Sequence, residues 1–312
     1  MTGTRIPLVV IAGPTASGKT ALAVSLCRRF DGEVVSADSM QVYDGLRVGT
    51  ARPTVEELQG IPHHVMGFLP PSASYSVARY AAAAHEAIAD IHRRGKLPVL
   101  CGGTGLYIGA VVDNLQYEDQ PADRSVRDEL NRRADEEGTT VLLAELADVD
   151  PVTAARLHPN DRGRIVRALE IYRTTGRTIT EQNAASRQIP SPYDVCGLRL
   201  DFRDRAVLYD RIDRRVTLML EQGLLEEATW LRSQTYADTI RQAIGYKELD
   251  PYFDGDVTLD AAADALRQGT RRYAKRQLSW FRHQPWMTPL YVDDGDVEAA
   301  AAECILQWKE DV

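Results

Sequence analysis

The segment Gly13-Pro14-Thr15-Ala16-Ser17-Gly18-Lys19-Thr20 constrains this chain more than any other. It has the spacing G-x-x-x-x-G-K-[ST] and lies between an apolar run at residues 8–12 and a helix-compatible stretch at 19–30. A strand, a glycine turn and a helix in that order make a phosphate-binding loop. The glycines let backbone N–H groups turn inward, the helix N-terminus adds positive potential, and a lysine adds a full charge. Gly13, Thr15, Ala16, Ser17, Gly18, Lys19 and Thr20 are therefore candidate phosphate ligands. The Thr20 hydroxyl is placed to hold Mg²⁺ bridging two phosphates. The motif specifies phosphate but not a reaction.

The loop also points to a fold class. Strand-like runs at 33–37, 96–101 and 196–200 alternate with helical patterns such as 76–94, which is rich in alanine and stopped by Gly95. Alternation of this kind predicts βαβ units and a parallel sheet with right-handed crossovers. Ligands of such sheets bind at the carboxyl ends of the strands, where Asp38 and the turn Gly102-Gly103-Thr104-Gly105 fall. After about residue 114 the pattern changes to helices at 123–137, 139–148 and 161–175, and then to an apparent linker at 177–193 containing Pro190 and Pro192. Two long helical patterns follow, at 204–233 and 259–283. The expected architecture is α/β: a P-loop-containing parallel sheet core flanked by helices (1–114 and 196–290), an inserted all-helical domain (115–195), and an acidic C-terminal tail (291–312).

Composition narrows the class. A chain of 312 residues, 44% hydrophobic and 26% charged, suits a soluble globular protein that buries a core without disulfide or metal staples. No apolar run approaches the roughly 20 residues that span a bilayer. The N-terminus reads as a first strand and not as a signal peptide. The four cysteines are widely separated and lack zinc-ligand spacing, so a reducing cytoplasm is expected. A net charge of −8 argues against nucleic-acid binding over the whole surface. Its distribution is uneven, however. Residues 151–190 carry seven Arg against three acids, and 267–284 carry six Lys or Arg and no acid, while 293–312 hold seven acids. Such asymmetry focuses a field that attracts a polyanion.

Other residues add chemistry. Asp38, at the end of the second strand, can accept a proton or order a Mg²⁺-bound water. Gln41 and Tyr43 suit the reading of a planar base by hydrogen bonding and stacking, with a structural role equally open for Tyr43. The glycines of 102–105 permit close backbone approach to a ligand, and Thr104 offers a hydroxyl. Trp280, Phe281 and Trp286 read as core first and as base-stacking residues second. His63 and His64 lack metal-ligating partners and read as packing or hydrogen-bonding residues. The sequence has no guanine-reading NKxD motif and no apolar strand ending in Asp-Glu, which argues against a switch GTPase or a motor.

Six ordered segments, GPTASGKT, DSMQVY, GGTGLY, NDRGRIVRALEIYR, AIGYKEL and KRQLSWFR, resemble the tRNA dimethylallyltransferases of bacterial type, over residues 8 to about 285. The resemblance implies transfer of a dimethylallyl group from its diphosphate to N6 of the tRNA adenosine at tRNA position 37, next to the anticodon. It also implies Mg²⁺ as cofactor, tRNA (its anticodon stem-loop) and dimethylallyl diphosphate as partners, no membrane, a cytoplasmic location and a monomer. Asp38 matches the general base and Thr104 a residue at the reacting centre, while Lys19, Thr20 and the loop backbone would stabilise the departing diphosphate. Arg211 and Arg215 match positions that reach the diphosphate, although a solvated helix charge is an equal reading. Asp38, Ser39, Met40 and Gln41 match a segment facing the extruded adenosine.

The tRNA-contacting positions of the family correspond to Arg127, Gly163, Arg164, Ile165, Val166, Arg167, Gln242, Gly245, Tyr246, Lys247, Lys275, Arg276, Gln277 and Arg282. Position 163 is usually glutamine in the family, so a contact is in doubt there. No Cys/His set matches the zinc-finger extension of eukaryotic members. Extruding a stacked base costs on the order of a few kcal/mol, which basic residues would offset through phosphate contacts. A small-molecule kinase would leave both basic stretches without a role. An enzyme for free adenine nucleotides would need no insertion. A non-catalytic RNA-binding protein would not need Lys19, Thr20, Asp38 and Thr104 together.

Overall fold

The structure is a computed structural model that describes residues 5–117 and 124–311. Asp123, with which the predicted third helix begins, lies outside them. The chain runs through β1 (Ile6–Ala12), α1 (Lys19–Phe30), β2 (Gly32–Ala37), a one-turn α2 (Val55–Leu58), β3 (His63–His64), α3 (Val77–Arg93), β4 (Leu97–Gly102) and α4 (Gly105–Val112). Then come α5 (Arg124–Glu136), α6 (Thr139–Val149), α7 (Pro151–Ala154), α8 (Arg162–Thr175) and α9 (Ile179–Ser186). The last part holds β5 (Tyr193–Asp201), α10 (Arg205–Glu221), α11 (Leu224–Arg232), α12 (Asp238–Arg241), α13 (Asp250–Phe253), α14 (Leu259–Arg282), β6 (Met287–Tyr291) and α15 (Val297–Glu310).

The described residues up to Val112 and from Pro192 onward form one compact unit, and those of Asp113–Ser191 form a second. The first unit is built on a six-stranded sheet in the order β3-β2-β4-β1-β5-β6, with every pairing parallel. Alternation along β1 feeds two cores. Leu8, Val10 and Ala12 pack on one face with α3, α4 and Phe281, and Val9 and Ile11 pack on the other with α1 and α15. Both faces are covered, as a parallel sheet requires.

Several boundaries differ from the sequence reading for physical reasons. The expected linker contains α9, started by a capping box in which Thr178 and Glu181 exchange hydrogen bonds. The single long helix expected over 204–233 is two helices, because Gly223 takes a left-handed conformation between α10 and α11. The acidic stretch after residue 290 contains α15, whose Ala301, Ala302 and Ile305 are buried beneath the sheet. β3 is too short to show a periodic pattern, and β6 carries Pro289, which only an edge strand accommodates readily. Phe281 is buried in the core on one sheet face, and Trp280 and Trp286 are partly buried against it, in line with the reading of all three as core first.

At the amino-terminal edge of the sheet, Glu33 is buried and accepts two hydrogen bonds from Arg94 and one from His64 at 2.7 Å. The Arg94 bonds, with His64 adding, hold its carboxyl down to about 2 against an ordinary 4.5. A depressed carboxylate contributes stability that is present above the unfolded value and lost as pH falls through the folded one. Thermal melts should therefore show destabilisation between about pH 4.5 and pH 2. Glu33→Gln should flatten that window and cost about 3 kcal/mol near neutrality.

Candidate active site

The carboxyl ends of β1, β4 and β2 lie side by side, with Ala12 in register with Gly102 and Gly102 with Ala37. The phosphate loop, the Gly103-Thr104 loop and Asp38 therefore emerge from adjacent strand ends. The loop leads into α1 with Gly18 as its N-terminal cap, at φ 91°. This residue brings no capping side chain, and the first turn of α1 carries no acid. The leading N–H groups of the helix are thereby left for an anion. Ser17 Oγ donates to the Pro14 carbonyl at 2.8 Å, and Lys19 Nζ folds back to the same oxygen at 2.5 Å. Arg211 braces the loop from α10, its Nε donating to the Ala16 carbonyl at 2.7 Å.

Behind the loop is a cavity of about 410 Å³, within the usual range for small-molecule sites. Lys19, Thr20, Asp38, Gly103, Arg215 and Tyr273 are among the residues that line it. On the other side of the loop lies a wider cleft, lined by Arg28, Arg29, Arg47, Arg52, Arg211 and Arg214 and sharing Lys19, Thr20 and Arg215 with the cavity. The sequence reading missed the first four of these arginines and Arg214, since they come from α1, α10 and the segment before α2 with no common motif.

The charges are arranged for an anion. Burial pushes the Lys19 ammonium down to about 8, partly offset by the nearby Cys101 thiol and Asp38. Burial also lowers the Arg215 value, with Asp38 opposing. Two desolvated cations thus face one carboxylate across a low-dielectric pocket, where an added anion interacts strongly. Asp38 is held by its own turn: Oδ1 accepts from Met40 N–H at 2.9 Å and from Gln41 N–H at 3.3 Å. Thr104 Oγ1 accepts from Ser39 N–H at 3.1 Å, and Thr104 N–H donates to the Ala37 carbonyl, which joins the two strand ends.

The predicted residues divide into several groups. Asp38, Ser39, Met40, Gln41, Gln242, Gly245, Tyr246, Lys247 and Arg276 all line the cavity with the phosphate loop. Gln41 donates its amide to the Thr50 and Ala51 carbonyls. The Tyr246 hydroxyl donates to Glu227 at 2.8 Å, and Glu227 in turn accepts from Arg47, Val48 and Gly49 N–H. Lys275 is exposed on α14.

Others have different work. Tyr43 is buried and its hydroxyl pairs with Thr239, so it is core and not a base reader. Gln277 borders the same cavity but is mostly buried, and both ends of its amide are engaged by backbone. One of those bonds takes the Thr15 N–H, a group expected to face phosphate. Arg282 is held in a two-pronged pair with buried Asp201. The glycines at 102, 103 and 105 serve packing: a Cβ would lie 2.1 Å from the Ala37 oxygen, 2.3 Å from Gln277 and 2.5 Å from Trp280 respectively.

In the second unit, Ile165 and Val166 are buried among Leu130, Leu142 and Leu169, so their side chains are core and not RNA contacts. Arg164 is exposed, and a Cβ on Gly163 would meet nothing within 4 Å, so a glutamine would fit there. Arg127 and Arg167 both donate to Oε2 of buried Glu170, at 2.8 and 2.9 Å. Among the described residues no helix is long and apolar enough to cross a membrane, and no group of three or more His, Cys, Asp or Glu could hold a metal ion. The four cysteines are free.

A parallel sheet with a G-x-x-x-x-G-K-[ST] loop after its first strand defines a P-loop α/β protein with its site at the carboxyl edge. The chain belongs to the IPP transferase family, whose model matches residues 41–284, and an isopentenyl transferase model matches residues 6–65. It is 47% identical to the tRNA dimethylallyltransferase of Halalkalibacterium halodurans, over 95% of this chain and 94% of that protein. It is 44% identical to the enzyme of the same name from Caldanaerobacter subterraneus subsp. tengcongensis, over 97% of each. Among solved structures it resembles the tRNA isopentenylpyrophosphate transferase of Bacillus halodurans, with 43% identity, a TM-score of 0.73 and 98% of each chain covered. It also resembles a eukaryotic dimethylallyltransferase acting on tRNA, with 33% identity and a TM-score of 0.76, over 92% of this chain and 74% of that one.

The lowered Lys19 value has a sign that can be tested with inorganic diphosphate. The charged form binds, so affinity should hold steady below about pH 8 and fall above it. Lys19→Arg should remove the fall, and Lys19→Met should weaken binding about 100-fold at pH 7, read by titration calorimetry.

Proposed function

We propose that this protein is a tRNA dimethylallyltransferase, carrying the dimethylallyl group from its diphosphate to N6 of the adenosine 3′ of the anticodon. The observation that carries the reading is one cavity in which a phosphate loop, two desolvated cations and an oriented carboxylate meet. Family membership supplies the substrate classes.

In this reading the N–H groups that begin α1, with Lys19 and Arg215, hold the diphosphate. As the bond from the allylic carbon to the diphosphate oxygen lengthens, negative charge grows on that oxygen. Fixed donors that gain strength with that charge lower the barrier. The adenine amine forms the new C–N bond, and Asp38 takes its proton through the carboxylate oxygen left to the cavity while Oδ1 is tied to Met40 and Gln41. Thr104 stands beside Asp38 through Ser39 and orients the reacting pair.

The donor set fits a Mg²⁺ ion carried by the diphosphate. The protein offers the Thr20 hydroxyl and one carboxylate at the cavity, with no cluster of three acidic or metal-binding side chains among the described residues. Mg²⁺ is commonly bound through substrate phosphates and one or two carboxylates, and when bound it would neutralise diphosphate charge. Lys275, Arg276 and Lys247, with Arg127, Arg164 and Arg167 on the second unit, supply positive charge for the tRNA backbone. The protein works as a monomer in the cytoplasm.

The test is prenyl transfer from labelled dimethylallyl diphosphate to unmodified tRNA with Mg²⁺, followed by nucleoside analysis. Wild type should yield N6-dimethylallyladenosine. Asp38→Asn should lower kcat by about 10²- to 10⁴-fold while tRNA still binds. Consumption of ATP on a small acceptor, without transfer to tRNA, would replace this reading with a kinase.

A further inference from the structure

Gln277 lies on α14, one turn after Tyr273, inside the stretch that sequence alone marks as RNA-facing. It borders the cavity there, yet its amide is directed to protein backbone. The side chain is buried, with 6% of the residue exposed. Its Oε1 accepts from Thr15 N–H at 2.9 Å, and its Nε2 donates to the Gly103 carbonyl at 2.9 Å. Thr15 belongs to the loop leaving β1, and Gly103 to the loop leaving the neighbouring β4, immediately before Thr104. One amide thus ties together two loops that leave adjacent strand ends.

The two ends of a glutamine amide differ, and each meets its complement: an acceptor faces the N–H and a donor faces the C=O. Methionine would fill the space with neither bond. Position 103 is matched to this arrangement, since a Cβ there would come within 2.3 Å of the Gln277 nitrogen. Tyr273, one turn earlier on α14, lines the cavity together with Asp38, and Gly103 leads directly into Thr104, whose hydroxyl accepts from Ser39 N–H beside Asp38.

We propose that Gln277 is a positioning residue that locks the phosphate loop against the Thr104 loop and so fixes the distance between the bound diphosphate and the Asp38–Thr104 pair. Its amide is spent on the protein backbone and not on tRNA. The assignment of substrates rests on the function proposed above, but the lock itself is readable from diphosphate binding alone. Misplacement of a reacting group by about 1 Å can cost 10²-fold in rate, which makes such a lock consequential.

The experiment compares Gln277→Ala, Gln277→Met, Gly103→Ala and the Gln277→Ala/Gly103→Ala double variant in the full chain, with thermal melts to establish folding. The readouts are affinity for inorganic diphosphate, affinity for tRNA, and kcat of prenyl transfer. Each single variant should bind diphosphate about tenfold more weakly, the scale of one hydrogen bond to backbone, and should transfer about 100-fold more slowly. Binding of tRNA should stay within about twofold of wild type, because both hydrogen bonds of the amide are made to protein backbone. The double variant should be no worse than Gln277→Ala, because the clash that Gly103→Ala creates needs the glutamine. Rescue by Gln277→Met would overturn the proposal in favour of space filling. Loss of tRNA affinity with diphosphate affinity intact would overturn it in favour of an RNA contact. A wild type that binds diphosphate but transfers nothing to tRNA would sink the proposed function, leaving the diphosphate titrations to decide the lock.

Discussion

Three parallel strands that end in one row govern this protein. Ala12, Gly102 and Ala37 are hydrogen-bonded neighbours across β1, β4 and β2, so the loops that follow them start within a few ångströms of each other. The parallel arrangement puts all three carboxyl ends on the same edge. The row depends on Gly102, where any side chain would meet the Ala37 carbonyl. From it follow the position of the phosphate loop, the placing of Asp38, and the bond from Ser39 to Thr104. A reaction between a phosphate-bound group and an acceptor needs its anion site and its base close together. Here backbone pairing, the least variable feature of the sheet, sets that separation.

On this frame the electrostatics are uneven by design of burial. Lys19 and Arg215 are partly withdrawn from water near Asp38, and the helix start of α1 carries no side-chain cap. Each feature is unfavourable in the absence of an anion and is relieved when one arrives. The arginine-lined cleft on the far side of the loop extends the same positive field outward. The second unit uses a different device: buried Glu170 gathers Arg127 and Arg167 onto one oxygen, fixing two cationic side chains from different helices. Charge that looks excessive in sequence is therefore partly neutralised in structure, and much of what remains sits where a polyanion can reach it.

Much of the site was legible because its parts are local. The phosphate loop, Asp38 after β2 and Thr104 after β4 each announce themselves within a few residues, by glycine spacing and by a polar residue ending an apolar run. Errors arose where a residue's partner is far away in the chain. Arg282 reads as a free cation until β5 brings Asp201 to it, 81 positions earlier. Gln277 reads as part of a basic RNA-facing helix until its bonds reach across 262 and 174 positions. Ile165 and Val166 sit in a tRNA-like motif, yet α8 turns them inward, as their apolar side chains alone would suggest. The glycines at 102, 103 and 105 look suited to a ligand and also admit close protein neighbours, which no local pattern announces. Within the linker, the Thr178–Glu181 capping box was a readable signal, outweighed by the prolines that follow it.

The sequence by itself determined that this is an α/β protein with a phosphate loop, that a carboxylate and a hydroxyl follow its strands, and that its basic residues cluster in two stretches. Those features are written in periodicity, spacing and composition, which act over a few residues. Only the tertiary structure decided which of the basic and polar residues line the cavity and which are paired within the protein. That choice depends on which strand lies next to which and on what a helix meets when it packs, and contacts of that kind pair residues that no local pattern connects.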